Sequence, residues 1–280
     1  MLFRPVCYTA PTAEPISLTE AKLHLRLAVD AVGAAAYTAE DSELTGRIAA
    51  VREAAETETW RKLVLQVWDL YLDEWPDEEI ILPYPPLMSV EFVKYTDTAG
   101  VVTTLATTEY IVDRASEPGR IVLGYDKSWP DVELYPVNPI QIRFKCGYLV
   151  PFTATAATDV LAATNHPFTD GDKVRLSVSG GAPPTGLAVL TDFFVRDAVA
   201  GVSLKLAATS GGTAIDITGV GSGNMFLGEL PFAINAGMKL ILTDLQELRG
   251  NTVLERVGTP LLLPRAASHW LAMESVRRIV

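Results

Sequence analysis

Apolar residues recur with helical spacing near both ends of this chain and with a period of two over much of what lies between. Leu18, Ala21 and Leu25 follow Ser17-Leu18-Thr19-Glu20, a capping box in which the Ser hydroxyl accepts from the Glu20 backbone N–H while the Glu side chain reaches back. They predict a short helix ending near Leu27. Residues 28–39, small and with one Gly, read as a loop. A second helix begins at Glu40-Asp41, with its acids at the positive end of the helix dipole. Leu44, Ile48, Val51 and Ala55 form its buried stripe, and Glu43, Arg47, Glu53 and Glu56 fall on its outer face.

From Leu63 to Asp73 the alternation is that of a long strand, closed by Trp75-Pro76. Glu79–Leu82 follows, then the Pro83-Tyr84-Pro85-Pro86 corner, which must lie between strands or on an edge because Pro donates nothing to a sheet ladder. Val90–Tyr95 and Val101–Leu105 flank Asp97-Thr98-Ala99-Gly100 as a hairpin. Tyr110–Val112, Arg120–Leu123 and Ile140–Phe144 complete the set. At residue 152 the texture changes: charges thin out, and eleven of the chain's 20 glycines lie between Phe152 and Leu230. Short strands at Val160–Ala163, Lys173–Val178, Phe193–Asp197, Ser203–Ala208 and Ala214–Thr218 are separated by turns at Asp170-Gly171, Gly180-Gly181 and Ser210-Gly211-Gly212. That pattern predicts a small all-β barrel or sandwich. After Pro231 a helical stripe resumes through Ile234, Met238, Ile241, Leu242, Leu245 and Leu248, stopped by Gly250-Asn251. A last helix is expected from Arg265 to about Arg278.

The fold class that emerges is α+β: a helical domain with a small antiparallel β-sheet, formed by residues 1–151 and 230–280, interrupted by an inserted all-β module at 152–229. The insertion reading predicts that Leu149–Phe152 and Gly228–Pro231 lie close in space, and that flanks rejoined by a short linker still fold.

Charge narrows the function. The net charge is −11, with 23 acids and 13 bases in residues 1–150, 7 and 4 in 151–230, and 4 and 6 in the last 50. Such a chain has no electrostatic footprint for gripping a phosphate backbone. A run long and apolar enough to span a membrane is absent, and the N-terminus lacks signal-peptide features, so synthesis in the cytoplasm is expected. Cys7 and Cys146, the two cysteines, read as buried thiols of a reducing compartment.

Candidate chemistry is sparse. Ser179-Gly180-Gly181 and Gly221-Ser222-Gly223 lack the spacing of a nucleophile elbow or phosphate loop and read as turns. His24, His166 and His269 have no partner at metal-ligand spacing, so surface or packing roles are expected, with no cofactor or metal. Glu78-Glu79 and Glu56/Glu58 read as solvated surface, since paired carboxylates do acid–base work only in a shared cleft. The chain is therefore expected to bind and not to catalyse. Trp60, Trp68 and Trp75 read as packing around one helix–strand junction. Trp270 stands apart, in a basic tail with Arg265, His269, Arg277 and Arg278; Trp and Arg are typical interface anchors, and a fold-back of Trp270 onto the chain's own core is the alternative.

Several stretches carry a family resemblance in order and spacing: Pro15–Lys22, the Glu40–Arg61 helix, Gln66-Val67-Trp68 through Trp75-Pro76, the Leu82–Leu87 corner with Ser89-Val90, and Tyr110-Ile111-Val112-Asp113. Arg120-Ile121, Trp129-Pro130, Ile140–Tyr148 and the Pro231–Arg249 helix extend it. With the Gly-rich stretch set aside, these flanks resemble the head–tail connector (adaptor) proteins of long-tailed bacteriophages and related prophages. One departure is Thr59-Trp60-Arg61, where relatives often read Thr-Gly-Arg. The stretch from Asn165 to Val174, with Gly186-Leu187, Phe193-Phe194-Val195, Leu204–Ala207 and Gly211–Gly223, is similar to small β domains inserted in phage structural proteins.

The resemblance implies a virion protein of the particle neck: a ring of about a dozen copies joined head to tail, docked on the portal on one face and on the next neck or tail protein on the other, with DNA passing through the lumen unread. It points to Arg265, His269, Trp270, Arg277 and Arg278 for portal binding, and to Glu43, Arg47, Glu53 and Glu56 for subunit packing or the lumen wall. A rival reading is a tail or baseplate protein whose β module binds host glycan; a more distant one is an enzyme with an unrecognised site.

Overall fold

A computed structural model of the protein describes residues 4–28, 30–247 and 265–276. In chain order these form β1 (Arg4–Thr9), α1 (Leu18–His24), α2 (Ala31–Ala36), α3 (Asp41–Thr59), β2 (Gln66–Leu72), β3 (Glu79–Ile81), β4 (Leu87–Thr96), β5 (Val102–Thr104), β6 (Tyr110–Asp113) and β7 (Arg120–Leu123). There follow β8 (Ile140–Cys146), β9 (Val150–Pro151), β10 (Thr153–Thr155), β11 (Val160–Ala162), β12 (Lys173–Ser179), β13 (Asp192–Val199), β14 (Ser203–Ala207), β15 (Asn224–Leu227), α4 (Phe232–Glu247) and α5 (Arg265–Ala272). Helices and antiparallel sheets divide into two units, one built mainly on Val64–Tyr148 with the N-terminal strand, the other on Thr12–Leu63 and Leu149–Ser275.

The first unit holds a five-stranded sheet in the order β1-β2-β8-β4-β5 and a three-stranded sheet in the order β3-β7-β6. Alternation along β2 and β8 sends Leu70, Leu72, Ile140, Ile142 and Phe144 into a core shared with Leu82, Val93 and Ile121. On the opposite side of β2 and β8, Asp69 takes two bonds from Arg143, at 2.7 and 2.8 Å, and the guanidinium lies 3.3 Å from the Tyr8 ring centroid. The hydrogen bonds to Asp69 hold the Arg143 pKa above its ordinary value.

Strand β1 escaped the sequence reading for a physical reason. It is an edge strand whose apolar Val6 and Tyr8 face solvent, so its pattern offers no buried face to recognise. Cys7 on this strand is exposed, which corrects the expectation of two buried thiols; Cys146 is buried as expected. The tryptophans do not form one cluster either. Trp68 packs on Tyr84, with centroids 4.6 Å apart. Trp75 stacks flat on Trp129, at 4.8 Å and 5°.

Trp60 belongs to the helical unit, where it ends α3 in the left-handed conformation, φ 58°. Glycine adopts that conformation most readily, so Trp60 holds it at some cost in strain. The short helix α2, read as loop from its small residues, is capped by Asp30, whose carboxylate accepts from the Gly33 N–H at 2.7 Å. Lys22, almost wholly buried, ties α1 to it by donating to the carbonyls of Ala34 (2.8 Å) and Tyr37 and pairing with Asp41 at 2.6 Å.

The seven-stranded sheet of the second unit runs β10-β11-β14-β13-β12-β15-β9. Its edge strands β9 and β10 are separated in sequence by Phe152 alone, yet no pairing between them closes a barrel; β12 joins the two halves of the sheet, Lys173–Arg175 pairing with β13 and Leu176–Ser179 with β15. Pairing of Leu227 with Val150 and of Phe226 with Pro151 brings the two expected junctions together. The expected strand at Ala214–Thr218 is an irregular stretch with an isolated bridge, Ala207 to Ala214; β15 lies instead between β12 and β9. The expected boundary at residue 152 falls inside this unit, between its two edge strands.

Candidate assembly surfaces

Helix α5 lies on α4. Ala267 and Leu271 are buried, and Gly237 on α4 lets the Leu271 side chain approach so closely that an added Cβ would stand 3.0 Å from it. Beyond the helix, the Glu274 carbonyl accepts from Arg61 Nε at 2.6 Å and the Ser275 hydroxyl donates to the Glu58 carbonyl at 3.3 Å. The Trp270 ring meets Phe232 edge-on at 6.3 Å and 81°. Phe232 itself is 80% exposed, and His269 is exposed beside Trp270. Of the residues expected at the portal, His269 and Trp270 thus stand side by side, with the exposed Phe232 against Trp270; the sequence did not single out Phe232, because Pro231-Phe232 opens a helix whose stripe begins two residues later. The Arg265 backbone starts α5, which is shorter than expected; Arg277, Arg278, Leu248 and the Gly250-Asn251 stop lie outside the described residues.

On α3, the exposed Glu43 pairs at i,i+4 with Arg47, whose side chain is largely covered and also donates to Gln246 of α4. Glu53 is exposed, 3.4 Å from Arg52. Glu56, placed on the outer face by its spacing, is only 4% exposed. Its carboxylate accepts from Arg52 at 3.2 Å, Lys62 at 3.1 Å and the Leu63 N–H at 3.1 Å. The buried stripe of α3 is wider than its apolar residues, taking in Arg52 and Glu56 one position beyond Val51 and Ala55. Arg52 extends the network to Glu14 at 2.9 Å. Burial raises the Glu14 pKa, against the lowering pull of Arg52.

A cleft of about 300 Å³ opens beside α4, lined by Leu149, Leu190, Phe226, Leu230, Phe232 and Asn235 among others, with Glu20 and Ser179 on its wall. Here the capping box takes an unexpected form. The Ser17 hydroxyl accepts from the Glu20 N–H at 3.1 Å, as expected. The Ser17 N–H, however, donates to Ser179 Oγ at 2.7 Å, and the Ser179 hydroxyl donates onward to the Glu20 carboxylate. Ser179 therefore stands between the two halves of the box, 159 residues from Glu20. Gly180, φ +66°, brings this turn against α1; a Cβ there would collide with the Ser17 hydroxyl. Glu20 also pairs with Lys239 of α4 at 2.7 Å. These contacts satisfy a helix terminus, and they leave Ser179 with no histidine base.

The remaining histidines have structural partners. His166 is buried, with Nε2 2.9 Å from the Val199 carbonyl and Nδ1 accepting from the Phe168 N–H at 3.2 Å, so the proton resides on Nε2. His24 Nε2 lies 3.0 Å from both the Lys239 carbonyl and Thr243 Oγ1. Among the described residues no group of three His, Cys, Asp or Glu side chains is placed to hold a metal, and no helix is long and apolar enough to cross a membrane.

No protein-family model and no curated protein matches the sequence. The fold, by contrast, corresponds from end to end to chains of gene transfer agent particles. A chain in the virion of the native gene transfer agent particle matches with a TM-score of 0.54 at 16% identity, covering 100% of this chain and 98% of that one. A chain in the neck of the empty particle, computed with C6 symmetry, matches with a TM-score of 0.53 at 17% identity and the same coverage. At such identities the likeness is one of fold.

Proposed function

We propose that this chain is a structural protein of a phage-like particle neck. Copies assemble into a ring of about a dozen that joins the portal to the next neck or tail component, while DNA passes through the lumen. The observation that carries this reading is the end-to-end correspondence with the gene transfer agent chains, which spans the β region at 152–229 as well as the helices. The charge of −11 agrees with it, because an acidic wall does not retain a polyanion. The protein binds and does not catalyse.

Within this reading, His269 and Trp270, with Phe232 beside them, form the accessible part of the portal-facing surface, and Arg265, Arg277 and Arg278 contribute its positive charge. Glu43, Arg47 and Glu53 serve subunit packing or the lumen wall. Glu56 is withdrawn from that set, since its carboxylate is spent inside the fold. Imaging of the assembled neck tests the proposal: it should place a cyclic ring of this chain against the portal. Mapping to the tail tip would overturn it. An Arg277→Glu/Arg278→Glu double variant, which leaves Ala267 and Leu271 untouched, should lose co-sedimentation with the portal while remaining folded.

A further inference from the structure

The run 124–139 between β7 and β8 is long for a connection without secondary structure, and loops of that length in compact units tend to carry function. It is held firmly at several points. Trp129 stacks on Trp75, the Tyr135 N–H donates to the Thr96 carbonyl at 3.0 Å, the Thr98 N–H donates to the Glu133 carbonyl at 3.1 Å, and the Asn138 N–H donates to Asp73 at 2.9 Å. Fixed in this way, it nonetheless presents Tyr125, Val132, Tyr135 and Val137 to solvent, Tyr125 with 91% of its surface exposed. A fold that spends hydrogen bonds to hold apolar side chains outward is shaped to bury them against something else.

Charge identifies the occupant. Exposed acids surround the ridge: Glu74, Asp77 and Glu78 from the β2–β3 turn, and Asp126, Asp131 and Glu133 from the loop itself. Lys127, the base within the loop, sits on Glu109 at 3.1 Å. A second copy of this acidic chain is poorly matched to such a surface. The exposed bases of its β region, Lys173 and Arg175, are engaged with Asp192, and the half-buried Arg196 with Asp197. We infer that the 124–139 ridge docks a different protein, through a segment in which Arg or Lys residues alternate with apolar anchors. The aromatic and aliphatic side chains supply the buried contact, and the acids supply selection and on-rate. This inference is independent of the neck reading, which gives the ridge no role, so either can fail without the other.

The test uses the full chain and three fluorescent peptides: a twelve-residue Arg/Leu alternation with a central Tyr, the same peptide with Glu for Arg, and residues 265–280 of this chain. Anisotropy should show binding of the Arg/Leu peptide, weakened by salt, and none of the Glu peptide. Replacing Tyr125→Ser and Tyr135→Ser together, which changes no charge and touches no fully buried side chain, should weaken that binding about tenfold while leaving the circular dichroism spectrum unchanged. Glu58→Gln with Asp216→Asn, which removes two charges elsewhere, should leave it unchanged. Equal loss in both variants would mean general attraction to an acidic protein and would overturn the inference, as would no loss in the tyrosine variant. Tight binding of the 265–280 peptide at the ridge would also overturn it, by making a second copy the occupant. Asp131→Lys with Glu133→Lys provides an independent check, and should abolish binding of the Arg/Leu peptide.

Discussion

At the scale of single residues, buried polar groups separate what spacing reveals from what it hides. Glu56 and Glu53 are three positions apart on one helix, and their type alone does not distinguish them. The structure leaves Glu53 in solvent and gives Glu56 three donors in the interior. Glu56→Ala should therefore cost about 2–4 kcal/mol, because it takes from Arg52, Lys62 and the buried Leu63 N–H the one carboxylate they share. Glu53→Ala should stay within about 0.5 kcal/mol. Urea unfolding of the two variants checks the contrast. The stacked pair Trp75–Trp129 makes a different prediction, because both indole N–H groups are buried without an acceptor among the described residues. Trp129→Phe removes an unsatisfied donor and keeps an aromatic face, so it should cost well under the roughly 3–5 kcal/mol expected for Trp129→Ala. Asp192 offers a test by pH. Hydrogen bonds first from Arg175 and then from Lys173 lower its pKa to about 2, against an ordinary value near 3.8. A depressed carboxyl contributes stability above its unfolded pKa and loses it as pH falls towards the folded value. Carboxyl NMR should thus follow Asp192 titrating near 2, and Asp192→Asn should remove that acid-sensitive contribution.

Among the elements, those with one buried face and one wet face were legible in the sequence. The helices α1, α3 and α4 and the strands β11 to β14 announce themselves by a stripe or an alternation bounded by turn residues. The position of Trp60 was legible too, as the end of α3. The elements that were missed lack such a signature: β1 shows its apolar residues to solvent, α2 is nearly all small residues, and β9 and β10 are too short to carry a period. The candidate surfaces divide in the same way. His269 and Trp270 stood out by composition, whereas Ser179 was read as part of a turn because its partners, Ser17 and Glu20, are remote in sequence. Ser179→Ala should cost about 1–2 kcal/mol, since it leaves the buried Ser17 N–H without an acceptor. Replacing 152–229 by a short linker removes Ser179 together with the Asn224 side chain, which donates to the Glu14 carbonyl at 2.9 Å. The shortened chain should melt several degrees lower than the intact one, with loss of helix content on circular dichroism. An unchanged melt would mark 152–229 as an insert that folds independently of its flanks.

For the whole molecule, the overall acidity and the end-to-end likeness in fold weigh more than any one residue. A chain of charge −11 should fail to retain duplex DNA in a gel-shift experiment at physiological salt, and retention would argue against passive passage through a lumen. The division into two units has a bearing on how such a protein could arise or be re-engineered. The seven-stranded sheet begins and ends on a single run of backbone, Val150 to Thr155, whose first residues hydrogen-bond to β15 and whose last hydrogen-bond to β11. A cassette moved between genes needs ends that can be cut without injury. Here the N-terminal cut falls within the run that carries both margins of the sheet, so a transplant starting after Pro151 would leave β15 with β12 but without β9, its other neighbour, in the recipient. A transplant that carries Val150-Pro151 along with the β region keeps that margin of the sheet intact.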